Sequence, residues 1–79
     1  MNEKQQLFEA VDKFAMLMKE RFDSKRKQGW SGWDYMGGDI LAGRLLMNAA
    51  QAVINGDDKS LVDVANLAMI IQRNKKGRK

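Results

Sequence analysis

Hydrophobic positions recur with helical spacing along three stretches of the chain. Between Glu3 and Lys27, Leu7, Val11, Phe14, Met18 and Phe22 follow one another at intervals of three and four, and Phe8, Ala15 and Leu17 widen the stripe. Lys4, Asp12, Lys13, Lys19 and Glu20 charge the opposite side, the pattern of an amphipathic helix with one wet face. A second helix is predicted from Asp39, a residue type suited to an N-cap, to Asn55, with Gly56 placed to end it. A third starts at a cap on Asp57 or Asp58 and runs to about Arg73. The short turn between the last two predicts an antiparallel helical hairpin. Between helices one and two, Gln28 to Gly38 reads as a loop, because it holds four glycines, both tryptophans and the only tyrosine.

The expected fold class is therefore all-α, with three helices in one domain over residues 1–72 and a basic, flexible tail over residues 73–79. Helix three is apolar almost all round, through Leu61, Val62, Val64, Ala65, Leu67, Ala68, Met69, Ile70 and Ile71. Such a helix must be buried on most sides. A chain of 79 residues buries only roughly 60% of its unfolded surface, so self-association is the expected remedy. A homodimer that pairs the two hairpins into a four-helix core, or a higher homo-oligomer, meets that need.

The polar exceptions on these helices are spaced three or four apart and so form stripes. On helix two they are Arg44, Asn48, Gln51 and Asn55; on helix three they are Ser60, Asp63 and Asn66. Two readings stand. The stripes face each other and make a polar seam in which a small polar ligand or a metal sits, or the helix-two stripe is simply solvated. A buried Asp63 needs a counter-charge, and Arg44 is a candidate.

Composition removes several chemistries. There is no cysteine, hence no disulfide and no thiolate site, and no histidine, hence neither the commonest general base nor the usual zinc ligand. Ser24, Ser31 and Ser60 have no histidine to activate them. The lack of proline suits long uninterrupted helices. No apolar run reaches the ~18 residues of a membrane span and no signal peptide is apparent, so no membrane partner and a cytoplasmic location are expected. The net charge of +4 sits mostly in the tail, at Arg73, Lys75, Lys76, Arg78 and Lys79, with a second cluster at Lys25, Arg26 and Lys27. Cations at a helix C-terminus also have a purely structural cause in the macrodipole. Trp30 and Trp33 pack as anchors, fold back as a lid, or stack on a base.

Lys25-Arg26-Lys27-Gln28-Gly29-Trp30, then Leu41 to Leu46, Gly56-Asp57, and Asp63-Val64-Ala65-Asn66-Leu67-Ala68-Met69-Ile70 resemble the short MazG-like proteins of bacteriophages. These belong to the all-α nucleoside triphosphate pyrophosphohydrolases. The resemblance spans about Met18 to Ile71. It implies a dimer or tetramer with a magnesium site, built from one Glu-x-x-Glu pair on the second helix and one Glu-x-x-Asp pair on the third. Carboxylates three apart share a helix face and give the hard oxygen ligands that Mg²⁺ takes.

This chain departs from that pattern at three of the four ligands. Asn48 and Gln51 stand in the first pair and Ser60 in the second, and only Asp63 matches. One carboxylate and two amides make a poor Mg²⁺ site. The expectation is therefore no catalytic residue, no metal ligand and no cofactor. The resemblance implies instead a nucleotide or nucleotide-derived ligand bound without hydrolysis by Arg44, Asn48, Gln51, Asp63, Asn66, Lys25, Lys27, Trp30 and Trp33, with the cations meeting a phosphate directly. Two alternatives stay open. One is a phage-encoded module that inhibits a host enzyme through an adaptable surface rich in the six methionines. The other is a nucleic-acid binder using the tail and the Lys25–Lys27 cluster.

Overall fold

The structure, a computed structural model, describes residues 2–33 and 36–77. Tyr35 and its neighbour Asp34 in the loop, and Arg78 and Lys79 in the tail, lie outside the described residues. Among the described residues there are three helices and no strand: α1 (Glu3–Lys27), α2 (Gly38–Asn55) and α3 (Asp58–Gly77).

Local chemistry sets each boundary. Asn2 opens α1 with a capping box: its side chain accepts from the Gln5 backbone N–H at 2.8 Å, and the Gln5 side chain accepts from the Asn2 N–H at 3.2 Å. After Lys27 the chain reverses through Gly29, whose φ of 91° suits a residue without a Cβ. Asp39 does not cap α2, as the sequence predicted. The helix begins one residue earlier behind Gly37, which offers no side-chain acceptor, and Asp39 lies inside the first turn. Gly56 ends α2 in the left-handed conformation, φ 61°, as predicted. Asp57 then caps α3, its carboxylate accepting from the Lys59 N–H at 3.0 Å and the Ser60 hydroxyl at 3.1 Å. Helix α3 continues past Arg73 to Gly77, further than its apolar pattern extends.

Helix α3 is the centre of the molecule. It packs along α2 in the predicted hairpin and is crossed by α1, whereas α1 and α2 do not pack on each other among the described residues. The core forms where Leu41 of α2 meets Leu67 and Ile70 of α3, walled by Phe22, Trp30, Trp33, Met36, Leu45 and Ile71. Leu41 and Ile70 are the largest fully buried side chains. Ala52 and Val62 are buried nearer the turn.

Helix α1 buries none of its residues fully. Only its C-terminal half crosses α3, so Leu7, Phe8 and Val11 of the predicted apolar stripe have no other helix to pack against among the described residues and are more than half exposed. The open arrangement shows in the radius of gyration, 13.9 Å, against about 11.6 Å for a compact chain of this length.

Candidate functional site

The polar seam exists, but between different helices from those the sequence suggested. Asp63 is 7% exposed and faces α1, not α2. It accepts from Arg21 Nε at 3.0 Å and Nη2 at 3.3 Å, a bidentate fork, and Lys25 Nζ lies 3.4 Å away. Arg44, the expected counter-charge, is exposed and makes no ion pair among the described residues; its backbone carbonyl accepts from the Asn48 side chain at 2.8 Å. The reason is geometric. Asp63 and Asn66 project from the face of α3 that α1 crosses, while the Arg44, Asn48, Gln51 and Asn55 stripe lies beside the α2–α3 contact. Arg44, Gln51 and Asn55 are exposed and Asn48 is half-buried.

Arg21 carries a signal in the sequence. It falls three residues after Met18 and seven after Phe14, on the apolar stripe itself. A cation on one buried stripe calls for a carboxylate on another. Its hydrogen bond to Asp63 raises the Arg21 pKa above the ordinary value, against the opposing effect of burial. A raised pKa keeps the guanidinium charged at every pH up to the ordinary arginine value, so the arginine's side of the bond is lost only in strong base.

One turn along α3, Asn66 is 4% exposed and donates from Nδ2 to the Met18 carbonyl at 3.3 Å. Its Oδ1 is buried without a hydrogen-bond partner among the described residues. Ser60, also buried, is used up in the α3 cap.

The loop aromatics continue this cluster. Trp30 stacks on Phe22, with ring centroids 6.1 Å apart and an interplanar angle of 27°. The Lys25 ammonium that reaches Asp63 also lies 5.5 Å from the Trp30 ring. Trp33 is held from α3: the Arg73 guanidinium lies 4.6 Å from its ring, and Asn74 donates to its carbonyl at 3.3 Å. Both tryptophans are half-buried, so they act as anchors and still present ring surface. Between them is a cavity of about 180 Å³ lined by Phe22, Arg26, Trp30, Trp33, Met69 and Ile70. The Arg26 guanidinium donates to the Trp30 carbonyl at 3.4 Å. A larger open groove of about 520 Å³ runs between α1 and the start of α3, beside Arg21.

Of the sequence-derived residues, Lys25, Trp30, Asp63 and Asn66 therefore converge on the α1–α3 crossing, with Trp33 at its loop end. Arg44, Asn48 and Gln51 do not join them. Lys27 is exposed and pairs with Asp23 one turn back, at 3.2 Å. Arg21, Phe22, Arg26 and Arg73 complete the cluster. No group of three or more carboxylate, histidine or cysteine side chains that could hold a metal occurs among the described residues. No described helix is long and apolar enough to cross a membrane. Compared with known proteins, the chain matches no family model, no curated protein and no solved structure.

Proposed function

We propose that this chain is a homo-oligomeric binding protein that holds a nucleotide-like molecule at the α1–α3 crossing and does not hydrolyse it. The observation that carries the reading is the cavity lined by two tryptophans and a phenylalanine, with Arg26 on its wall. At about 180 Å³ it is smaller than the roughly 300–1,000 Å³ of sites that swallow a whole small ligand. It suits one planar ring, stacked between aromatic faces. An attached phosphate then stays at the mouth, where Arg26 and Lys25 are the cations within reach. Among the expected Mg²⁺ ligands only Asp63 is a carboxylate, and its oxygens are already engaged by Arg21 and Lys25. Asp63 thus fits a role in positioning the two cations better than a role as a metal ligand.

Thermal denaturation with a panel of nucleoside mono-, di- and triphosphates, in Mg²⁺ and again in EDTA, tests this. Stabilisation in EDTA that is lost in Trp33→Ala and Arg26→Ala, with helix content kept, is the expected result. Stabilisation that needs Mg²⁺, or product formation lost in Asp63→Asn, would show a working metal site and overturn the non-hydrolytic reading.

A second reading, a module that docks on a host protein, is favoured by one observation. Leu7, Phe8 and Val11 line one exposed stretch of α1. It predicts no response to any nucleotide and capture of one host protein that Phe8→Glu abolishes.

A further inference from the structure

The α2–α3 hairpin has two broad sides. Helix α1 crosses the side that carries Asp63 and Asn66. At about 100° per residue, the opposite face of α3 carries Leu61, Ala65, Ala68 and Gln72. The same rotation, run in the reverse sense for the antiparallel α2, places Ala42, Leu46, Ala49 and Val53 beside them. No charge interrupts these eight positions. Leu46 is 69%, Val53 85% and Leu61 51% exposed. On each helix the spacing alternates between three and four residues, the repeat of a bundle seam, and on α2 large side chains alternate with alanines.

Opposite charges mark one end of this face. Asp39 stands three residues before Ala42 and Lys75 three after Gln72, both exposed. Both lie at the same end of the hairpin, where the start of α2 meets the end of α3.

We propose that this back face pairs with the same face of a second copy, about a two-fold axis parallel to the helices, to form an antiparallel four-helix bundle. Each α2 then lies on the partner's α3. In the register that this symmetry favours, Leu46 rests on the partner's Ala68, Val53 on the partner's Leu61, and Asp39 faces the partner's Lys75. A two-fold axis perpendicular to the helices would instead stack α2 on the partner's α2 and leave Asp39 without that cation.

The surface area supports an occupant of this size. The chain exposes 6171 Å², whereas a folded monomer of its 9.0 kDa mass exposes about 4,850 Å². The excess of about 1,300 Å², part of which lies on the uncovered N-terminal half of α1, compares with the roughly 800 Å² each partner buries in a standard interface. The proposal deepens the homo-oligomeric part of the function above and does not depend on the ligand, so it is tested without one.

Sedimentation equilibrium of the full chain at high micromolar concentration, with helix content followed by circular dichroism, is the experiment. The wild type is expected at twice 9.0 kDa. Leu46→Lys and Val53→Lys are expected at the monomer mass with helix content unchanged, because both side chains are solvated in the single chain. Met47→Lys alters an equally exposed apolar residue on the outer edge of α2, away from the seam, and is expected to remain dimeric. Asp39→Lys and Lys75→Asp each weaken the dimer several-fold at low salt, and the double variant recovers it. A monomeric wild type overturns the proposal. So does a dimer that Met47→Lys breaks and Val53→Lys spares, and so do charge reversals whose effects add instead of cancelling.

Discussion

Helix α3 is attached to its two neighbours by different physics. Against α2 it uses apolar area, with Leu41, Leu67 and Ile70 shut away from water over one face of the hairpin. Against α1 it uses a polar tie, in which Asp63 is gripped by Arg21 and Lys25, with Asn66 on a backbone carbonyl beside it and Phe22 and Trp30 closing the end. Apolar packing tolerates small slips in register. A bidentate ion pair holds one orientation at the cost of stability. The site-bearing contact is thus the specific one, and the structural contact the strong one.

The sharpest way to break this contrast is at the hairpin. Ile70 is 1% exposed, so Ile70→Ala is expected to cost about 3–4 kcal/mol. For so small a domain that is most of its stability, and urea denaturation should find the variant largely unfolded. A loss below about 1 kcal/mol would mean the core does not carry the fold.

Asp63→Ala tests the other contact. It leaves Arg21 and Lys25 facing each other without their counter-charge. Because both cations are about a quarter exposed, water screens part of the effect, and a cost of about 2 kcal/mol is expected rather than the 3–5 of a fully buried pair. Hydrogen exchange should show α1 amides losing protection while those of α2 and α3 keep theirs. Uniform loss along all three helices would mean that α1 and the hairpin fold as one unit.

The smallest effect separates stability from use. Asn66 gains one long hydrogen bond and leaves Oδ1 buried and without a partner among the described residues. Asn66→Leu removes that penalty and is expected to be neutral or to raise stability by about 1 kcal/mol. Calorimetry of the variant checks the sign. A clear destabilisation would mean that a water or a ligand already satisfies Oδ1.

The same division explains what could be read from the sequence. The three helices and the Gly56 turn followed from local signals, apolar spacing, a left-handed glycine and a capping aspartate at Asp57, although α2 starts before Asp39 and α3 runs past Arg73. The candidate site did not. Asp63 and Asn66 stood out as polar residues on an apolar helix, but their partners lie 42 and 48 residues away, and a stripe does not say which neighbour it faces. Arg44 drew attention because it lay on the adjacent helix. Arg21 won because α1 crosses the polar face of α3 while α2 packs beside it. The apolar stripe of α1 runs along the whole helix, but its N-terminal half lies beyond the end of the crossing.

Gly56 has a consequence for the order of events in folding. Its left-handed turn lets α2 and α3 meet across a two-residue link, Gly56 and Asp57, so their contacts form with almost no loop to close. The tie between Arg21 and Asp63 closes a span of 42 residues, a slower and entropically costlier event. The hairpin is therefore expected to assemble first, and the docking of α1, which completes the crossing, is the late step.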